Sequence, residues 1–429
     1  MADTGQRGRG PAGAGRRAII AWCLYDWANS AFPQTITTFV FATYFATEVA
    51  ENPTLGASQW AWAVAVSGIV VALLGPPSGA IADASGRRKP WIFVLTLLCV
   101  AACYVLWYVR PTTADVLLAL IVFAVASVAF ELATIFYNAM LPEITPRALI
   151  GRVSGWGWGL GYAGGLVCLL IILFGFVDTE SPLFGLDKSE AEHVRVAGPI
   201  AAIWYALFAL PLFLFTPDLR SKEVGPAQAV RDGLQMLVRS LRRIRAYANI
   251  ARYLLARMIY TDGLNTLFAV GGIFAVEAFG LELEEVLKFG IVIAATAGLG
   301  AAAFAWVDDW IGAKRTVLIA LAGLIVIGAA LLIVRTQLWF WILAPILGIF
   351  FGPAQAASRS LMARLAPPEL RTEMFGLYAF SGKSTAFVGP FIYGVFTYGF
   401  GSSRAGMATV LVFLLVGAAL LLTVREPRH

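Results

Sequence analysis

Charge is what this 429-residue chain has least of. Asp, Glu, Lys and Arg make up 14% of it, against about 25% in soluble domains. Histidine is nearly absent, with only His193 in a loop and His429 at the terminus. The four cysteines, Cys23, Cys99, Cys103 and Cys168, all lie in apolar runs without histidine or acidic companions. These shortages argue against histidine-based catalysis and a metal centre, so no cofactor, no metal and no enzymatic activity are expected. The net charge of +6 is not the signature of a nucleic-acid surface, because in an apolar chain the placement of Lys and Arg matters more than their sum. What is abundant is hydrophobicity, at 59% of residues with a mean hydropathy of +0.77. The chain reads as an integral, multi-pass membrane protein.

Runs long enough to span the hydrocarbon core, about 20 residues each, number twelve: 18–48, 58–82, 90–109, 113–141, 153–177, 196–216, 251–279, 285–307, 316–335, 338–365, 373–400 and 404–424. Pro33 should bend the first. With an inner N-terminus, 25 of the 32 basic residues fall on the cytoplasmic side. Six fall outside, and Lys383 lies within a span. That asymmetry predicts both termini in the cytoplasm. Residues 1–17 read as a disordered tail. Arg16-Arg17 resembles an export signal, but the apolar run after it is too long and lacks a cleavage site. The long connection 217–250 divides the spans into an N-terminal bundle (18–216) and a C-terminal bundle (251–424), with a short tail at 425–429. Within it, Val230, Leu234, Leu237, Val238, Leu241 and Ile244 recur at helical spacing among Arg231, Arg239, Arg242, Arg243 and Arg245. This predicts a basic amphipathic helix on the inner leaflet, or alternatively a partner-binding helix.

An internal repeat supports the division. Asp26-x-x-Asn29-Ser30-x-Phe32 in span 1 matches Asp262-x-x-Asn265-Thr266-x-Phe268 in span 7. The loop Gly79-x-x-x-Asp83-x-x-Gly86-Arg87-Arg88-Lys89 after span 2 matches Asp309-x-x-Gly312-x-Lys314-Arg315 after span 8. Glu131 and Gln355 sit at corresponding places in spans 4 and 10. In these loops glycine permits close approach or a tight turn, while the Asp can pair with a base or cap a neighbouring helix.

The first loop resembles the signature of the major facilitator superfamily. Tyr25-Asp26-Trp27-Ala28-Asn29-Ser30-Ala31-Phe32, Tyr137-Asn138-Ala139-Met140-Leu141-Pro142 and Gly155-Trp156-Gly157-Trp158-Gly159-Leu160-Gly161-Tyr162 resemble its vacuole-effluxer branch. Ser358-Arg359-Ser360 and Phe375-Gly376-Leu377-Tyr378 fit that branch as well. It contains autophagy-related amino-acid effluxers and bacterial members. The resemblance runs from Ala18 to Val424. It implies an all-α membrane fold of twelve helices in two pseudo-symmetric six-helix bundles, with spans 1, 4, 7 and 10 lining a central pathway. The second loop departs from the signature, with Ala305 in place of the first glycine.

Polar residues fall on those four spans. Asp26, Asn29, Glu131, Asn138, Asp262, Asn265, Gln355 and Arg359, with Lys383 in span 11, are the candidate substrate or proton pathway. Charges in lipid cost about 2.5–3.5 kcal/mol each and face a cavity or a partner. Each has a structural alternative: Asp26 paired with Arg257 or Arg359, Glu131 in a static ion pair, Arg359 in a gate, and the asparagines as interhelical glue. Ser381-Gly382-Lys383-Ser384-Thr385 imitates a phosphate loop, but Leu377 stands where that motif needs glycine and no strand precedes it. The expectation is a secondary transporter that moves a small polar metabolite, an amino acid in the first instance, by alternating access with protons as coupling ion. It would act as a monomer in the lipid bilayer of a bacterial inner membrane. A transporter-derived receptor or a membrane-embedded enzyme is the alternative.

Overall fold

Apolar chain in lipid must satisfy its own backbone, and here it does so with helices. The computed structural model describes residues 15–218, 225–242 and 246–426, and the regular structure among them is entirely helical. In chain order the helices are α1 (Arg16–Asn29), α2 (Pro53–Ser85), α3 (Lys89–Val105), α4 (Val116–Ile144), α5 (Ile150–Ile172), α6 (Ala197–Phe215) and α7 (Pro226–Arg242). They continue with α8 (Ala248–Phe279), α9 (Leu283–Ile311), α10 (Ala313–Ile333), α11 (Gln337–Leu365), α12 (Arg371–Lys383), α13 (Val388–Phe400) and α14 (Ser403–Leu422).

Among the described residues, ten helices are long and apolar enough to cross a membrane. The expected spans 1 and 11 are not single helices. Span 1 leaves α-geometry after Asn29 and continues as a π-helical stretch over Phe32–Phe39. Pro33 causes this, because it lacks an N–H and its ring opposes the Asn29 carbonyl. Span 11 is interrupted at Ser384–Phe387, between α12 and α13. Pro390 opposes the Ala386 carbonyl in the same way.

Helices α1 to α6 pack among themselves, as do α8 to α14. The two sets meet chiefly along α2 against α12 and α5 against α9. Glycines set the second contact. On α5, Gly151, Gly155 and Gly159 face α9, and a Cβ on Gly155 would lie 2.5 Å from the Ala305 Cβ. Gly161, Gly164 and Gly165 face α1 and the chain after it instead, against Ser30, Trp27 and Gln34. The alanine that breaks the signature in α9 is thus matched by a glycine on the facing helix.

One further expectation needs correction. Gly79, Asp83 and Asp309 are on helices rather than in loops, because α2 runs to Ser85 and α9 to Ile311. The turns are only Gly86–Arg88 and Gly312. Gly86 (φ 86°) and Gly312 (φ 95°) have the positive φ that ends each helix without strain. The linker helix α7 packs on α2, where Gly233 meets the Ile81 backbone. Val230, Leu234 and Val238 remain exposed beside this contact. Arg243, Ile244 and Arg245 lie outside the described residues, as do 1–14 of the N-terminal tail and 427–429 of the C-terminal one.

Candidate functional site

The polar contacts between the two sets of helices form layers, starting at the end that carries the two signature turns. There Asp83, on the last turn of α2, accepts from the Thr372 Oγ1 at 2.6 Å and the Glu373 N–H at 2.9 Å. It thereby caps the N-terminus of α12, where the helix dipole favours an anion. Asp309, on the last turn of α9, accepts from the Gly151 N–H at 2.8 Å and the Arg152 N–H at 3.1 Å, so it caps the N-terminus of α5. The two latches are structural repeats of one another.

Their supports repeat too. The Arg88 and Lys89 N–H groups donate to Asp218 at 3.0 and 3.3 Å, and Lys89 Nζ donates to the Phe213 and Thr216 carbonyls, each at 2.7 Å. In the second copy the Ala313 and Lys314 N–H groups donate to Glu426 at 2.9 and 3.0 Å. Lys314 Nζ donates to the Leu422 and Val424 carbonyls at 2.8 and 2.7 Å. One element differs. In the first latch Arg88, from the turn, pairs with Asp83 at 3.2 Å and with Glu143, and Glu143 also pairs with Arg371 on α12. In the second, Ala313 occupies the equivalent place, and Arg364 of α11 supplies the guanidinium. It pairs with Asp308 at 2.9 Å, Asp309 at 3.3 Å and Glu426 at 3.1 Å. Arg87 and Arg315 are exposed. Gly79 allows the Thr372 carbonyl to pass where a Cβ would stand.

The next layer is buried. Arg359 of α11 donates from Nη1 to Asp26 Oδ2 at 2.9 Å and to Asn138 Oδ1 at 3.3 Å. It also donates from Nε to Ser154 Oγ at 3.0 Å and from Nη2 to the Ser154 carbonyl at 2.7 Å. Its guanidinium lies 4.8 Å from the centre of the Trp22 ring and 5.6 Å from that of Trp158. Trp22 and Tyr137 stack at 4.4 Å and exchange hydrogen bonds, Nε1 to the Tyr137 carbonyl and Oη to the Trp22 carbonyl. Gly157 makes room for this cluster, since a Cβ there would lie 2.5 Å from Asp26 Oδ2. The motif around Asp26 therefore serves packing as well as charge. Tyr25 hydrogen-bonds to Thr96 and Tyr205, and Trp27 stacks on Trp204. Asn29 is buried and accepts from Ser30 at 3.4 Å.

Deeper still, Lys383 Nζ lies 2.6 Å from Glu131 Oε1, with side chains 36% and 23% exposed. At 1.5 Å per residue this pair stands roughly 18–20 Å in from the latch ends of α12 and α4. Asn265 donates to the Gly382 carbonyl at 3.4 Å beside it, and Gln355 accepts from Tyr162 at 2.8 Å. Asp262 is 3% exposed, and its Oδ1 has no hydrogen-bond partner. The structure thus brings Asp26, Asn138 and Arg359 together, and separately Glu131 and Lys383. The repeat-related Asp26 and Asp262 do not share a partner. A cavity of about 430 Å³ among α8, α9, α10, α11 and α14 is lined by Phe268, Phe289, Phe340 and other apolar groups, and includes none of these charges.

The sequence reading missed Ser154, Glu143, Arg364, Asp218 and Glu426. The last two had a signal: each is an acid just beyond the last span of its half.

Residues 146–429 match the family described as "Vacuole effluxer Atg22 like". The chain is 27% identical over 409 residues to the "Uncharacterized MFS-type transporter YxiO" of Bacillus subtilis, covering 95% of this chain and 94% of that one. It is 25% identical over 291 residues to autophagy-related protein 22 of Cryptococcus neoformans, covering 62% of this chain but 48% of the relative, so it spans about half the length of that protein. Among solved structures, the human organic anion transporter MFSD10 aligns with a TM-score of 0.72 at 14% identity, over 95% of this chain and 99% of that one. The transporter FucP in its outward conformation aligns with a TM-score of 0.73 at 12% identity, over 96% and 99%.

Proposed function

The chain belongs to the Atg22-like vacuole effluxer family of major facilitator transporters, and we propose that its substrate is an amino acid, carried by alternating access and coupled to protons. In this reading the α1–α6 set and the α8–α14 set are two six-helix halves on either side of a 217–250 linker. The latch end is the cytoplasmic face of a bacterial inner membrane, with both termini inside and the protein acting as a monomer. The state described is then closed to the cytoplasm.

The observation that carries the reading is the layering of polar contacts between the halves. Two capped latches and the Asp26–Arg359 pair close one end, and an accessible Glu131–Lys383 pair lies deeper. Such contacts are reversible, because water replaces each partner when the end opens. Burial with a guanidinium suits Asp26 to a lock. Partial exposure beside a releasable lysine suits Glu131 to carrying a proton, since protonation frees Lys383 and deprotonation recaptures it.

Counterflow in proteoliposomes, with panels of amino acids, peptides and sugars and with or without a pH gradient, tests this. Glu131→Gln should abolish accumulation driven by the pH gradient while counterflow persists. Gradient-driven accumulation by Glu131→Gln at the wild-type level would remove Glu131 from the coupling. A receptor would bind without counterflow.

A further inference from the structure

An amino-acid carrier must hold a carboxylate and an ammonium group. The two cations that the sequence offered for this are taken: Arg359 by Asp26 and Lys383 by Glu131. Two other membrane charges, both on α8, have no counter-ion among the described residues. Arg257 donates from Nη1 to the Tyr378 carbonyl at 2.6 Å and to Ser381 Oγ at 2.8 Å, and lies flat over the Tyr378 ring, 3.4 Å from its centre. Its Nε is buried without a partner, and Nη2 donates to nothing among the described residues. Asp262, 97% removed from solvent by its 3% exposure, also lacks an ion-pair partner among the described residues, and its Oδ1 accepts no hydrogen bond. Uncompensated charge within a membrane protein is costly, and an opposite pair left uncompensated implies a visiting partner.

Both charges converge on the interruption of span 11. Arg257 touches Ser381 and Gly382 on the α12 side. Asp262 lies beside Gly389 on the α13 side, where a Cβ would come within 3.0 Å of the Asp262 carbonyl. Between them the Thr385 hydroxyl approaches the Asp262 carboxyl, a third polar group at the interruption. The two charges stand five residues apart, roughly 7.5 Å along the helix axis and about 140° round it, so a ligand that joins them has to bridge across the interrupted segment. Broken helices are where transporters build midplane binding sites, because the freed backbone can be satisfied by a ligand. Gly382 keeps the guanidinium in place: a Cβ there would lie 3.0 Å from Nη1 and 3.2 Å from Nη2.

We propose that Arg257 and Asp262 are the two ends of the substrate site. The free Nε–Nη2 edge of Arg257 receives the carboxylate side-on, the geometry that a guanidinium offers. Asp262 receives the ammonium group of the same molecule. Arg359 and Lys383 serve the gate and the coupling instead. This assignment rests on the amino-acid reading above.

The test uses the full chain in proteoliposomes, with a labelled mixture of the common L-amino acids as tracer. Decarboxylated amines and deaminated acids of the same side chains serve as competitors. Arg257→Ala should weaken apparent affinity about 30-fold or more, the scale of losing one partner of a buried charge pair. In that variant the amines should compete as well as their parent amino acids. Asp262→Asn should do the mirror image, levelling the acids with their parents. Arg257→Lys keeps the charge without the fork and should fall between. Gly382→Ala, which retains both charges, should raise the apparent KM and covers the case in which Arg257→Ala does not fold. If Arg257→Ala and Asp262→Asn keep the wild-type ranking of competitors, the assignment is wrong. Wild-type counterflow of uncharged sugars alone would overturn the site but leave a transporter. No counterflow of any panel member would overturn the transport reading and the site with it.

Discussion

The Asp26–Arg359 pair allows a quantitative test of the lock. Arg359 reaches from α11 to Asp26, Asn138 and Ser154 on α1, α4 and α5, so opening the latch end must break these bonds. Asp26→Asn retains an acceptor but removes the charge. A charge-assisted hydrogen bond is roughly twice as strong as a neutral one, so the closed state should lose about 1–1.5 kcal/mol, near tenfold in the opening equilibrium. Arg359→Leu instead leaves Asp26 buried and unpaired in the closed state only, at a cost of about 3–5 kcal/mol, or more than a hundredfold. The aromatic faces of Trp22 and Trp158 soften the first loss and do nothing for the second. A reporter is available at Ala357, which is 2% exposed and lines a small void with Gly155, Ala301 and Ala305. With the four buried native cysteines replaced by alanine, Ala357→Cys should react with maleimide only when α5 and α11 part. The labelling rate should rise about tenfold with Asp26→Asn and far more with Arg359→Leu. Equal rates in all three backgrounds would refute the lock.

The latches predict paired effects. Gly79→Ala should loosen the α2–α12 contact by about 1–3 kcal/mol, because the new Cβ meets backbone rather than a flexible side chain; thermal unfolding in detergent measures this. Asp218→Asn and Glu426→Gln should both lower the unfolding midpoint, each weakening two helix-capping bonds worth about 0.5–2 kcal/mol per cap. Glu426→Gln should cost more, since Glu426 also holds Arg364. Gly233→Val should lift α7 from α2, where a Cβ meets the Ile81 backbone at 2.7 Å, and limited trypsin digestion at Arg231 and Arg239 should accelerate.

Much of this was legible in the sequence, and the reasons differ by element. Span positions follow from apolar runs, and the break at Pro33 from the chemistry of proline. Asp83 was readable as a cap because its motif carries glycines at fixed offsets. The Asp26–Arg359 pair appeared only as one alternative, since its members are 333 residues apart and tertiary packing chooses between Arg257 and Arg359. The same packing leaves Arg257 without an acid, which no local pattern records. Arg364 escaped notice because it replaces Arg88 in space but comes from another helix. The break in span 11 was missed although Pro390 stands in the sequence, because the apolar run continues through it. Asp309 was assigned to a loop because helix α9 outlasts its apolar stretch.

Arg359 and Arg364 stand on one helix, about 7.5 Å apart along its axis. One holds the buried lock, and the other holds the latch on α5 and α9. Helix α11 is therefore a key with two teeth: a single tilt or slide withdraws both at once. The opposite latch takes its arginine from the turn before α3, and its tie to the lock runs only through Asn138 and Glu143 of α4, with no second arginine on α11. The closed end consequently has a leading edge and a trailing edge. Strain applied to α11 from the centre of the membrane reaches the α5–α9 seam first, and the α2–α12 seam parts as a second, separate event.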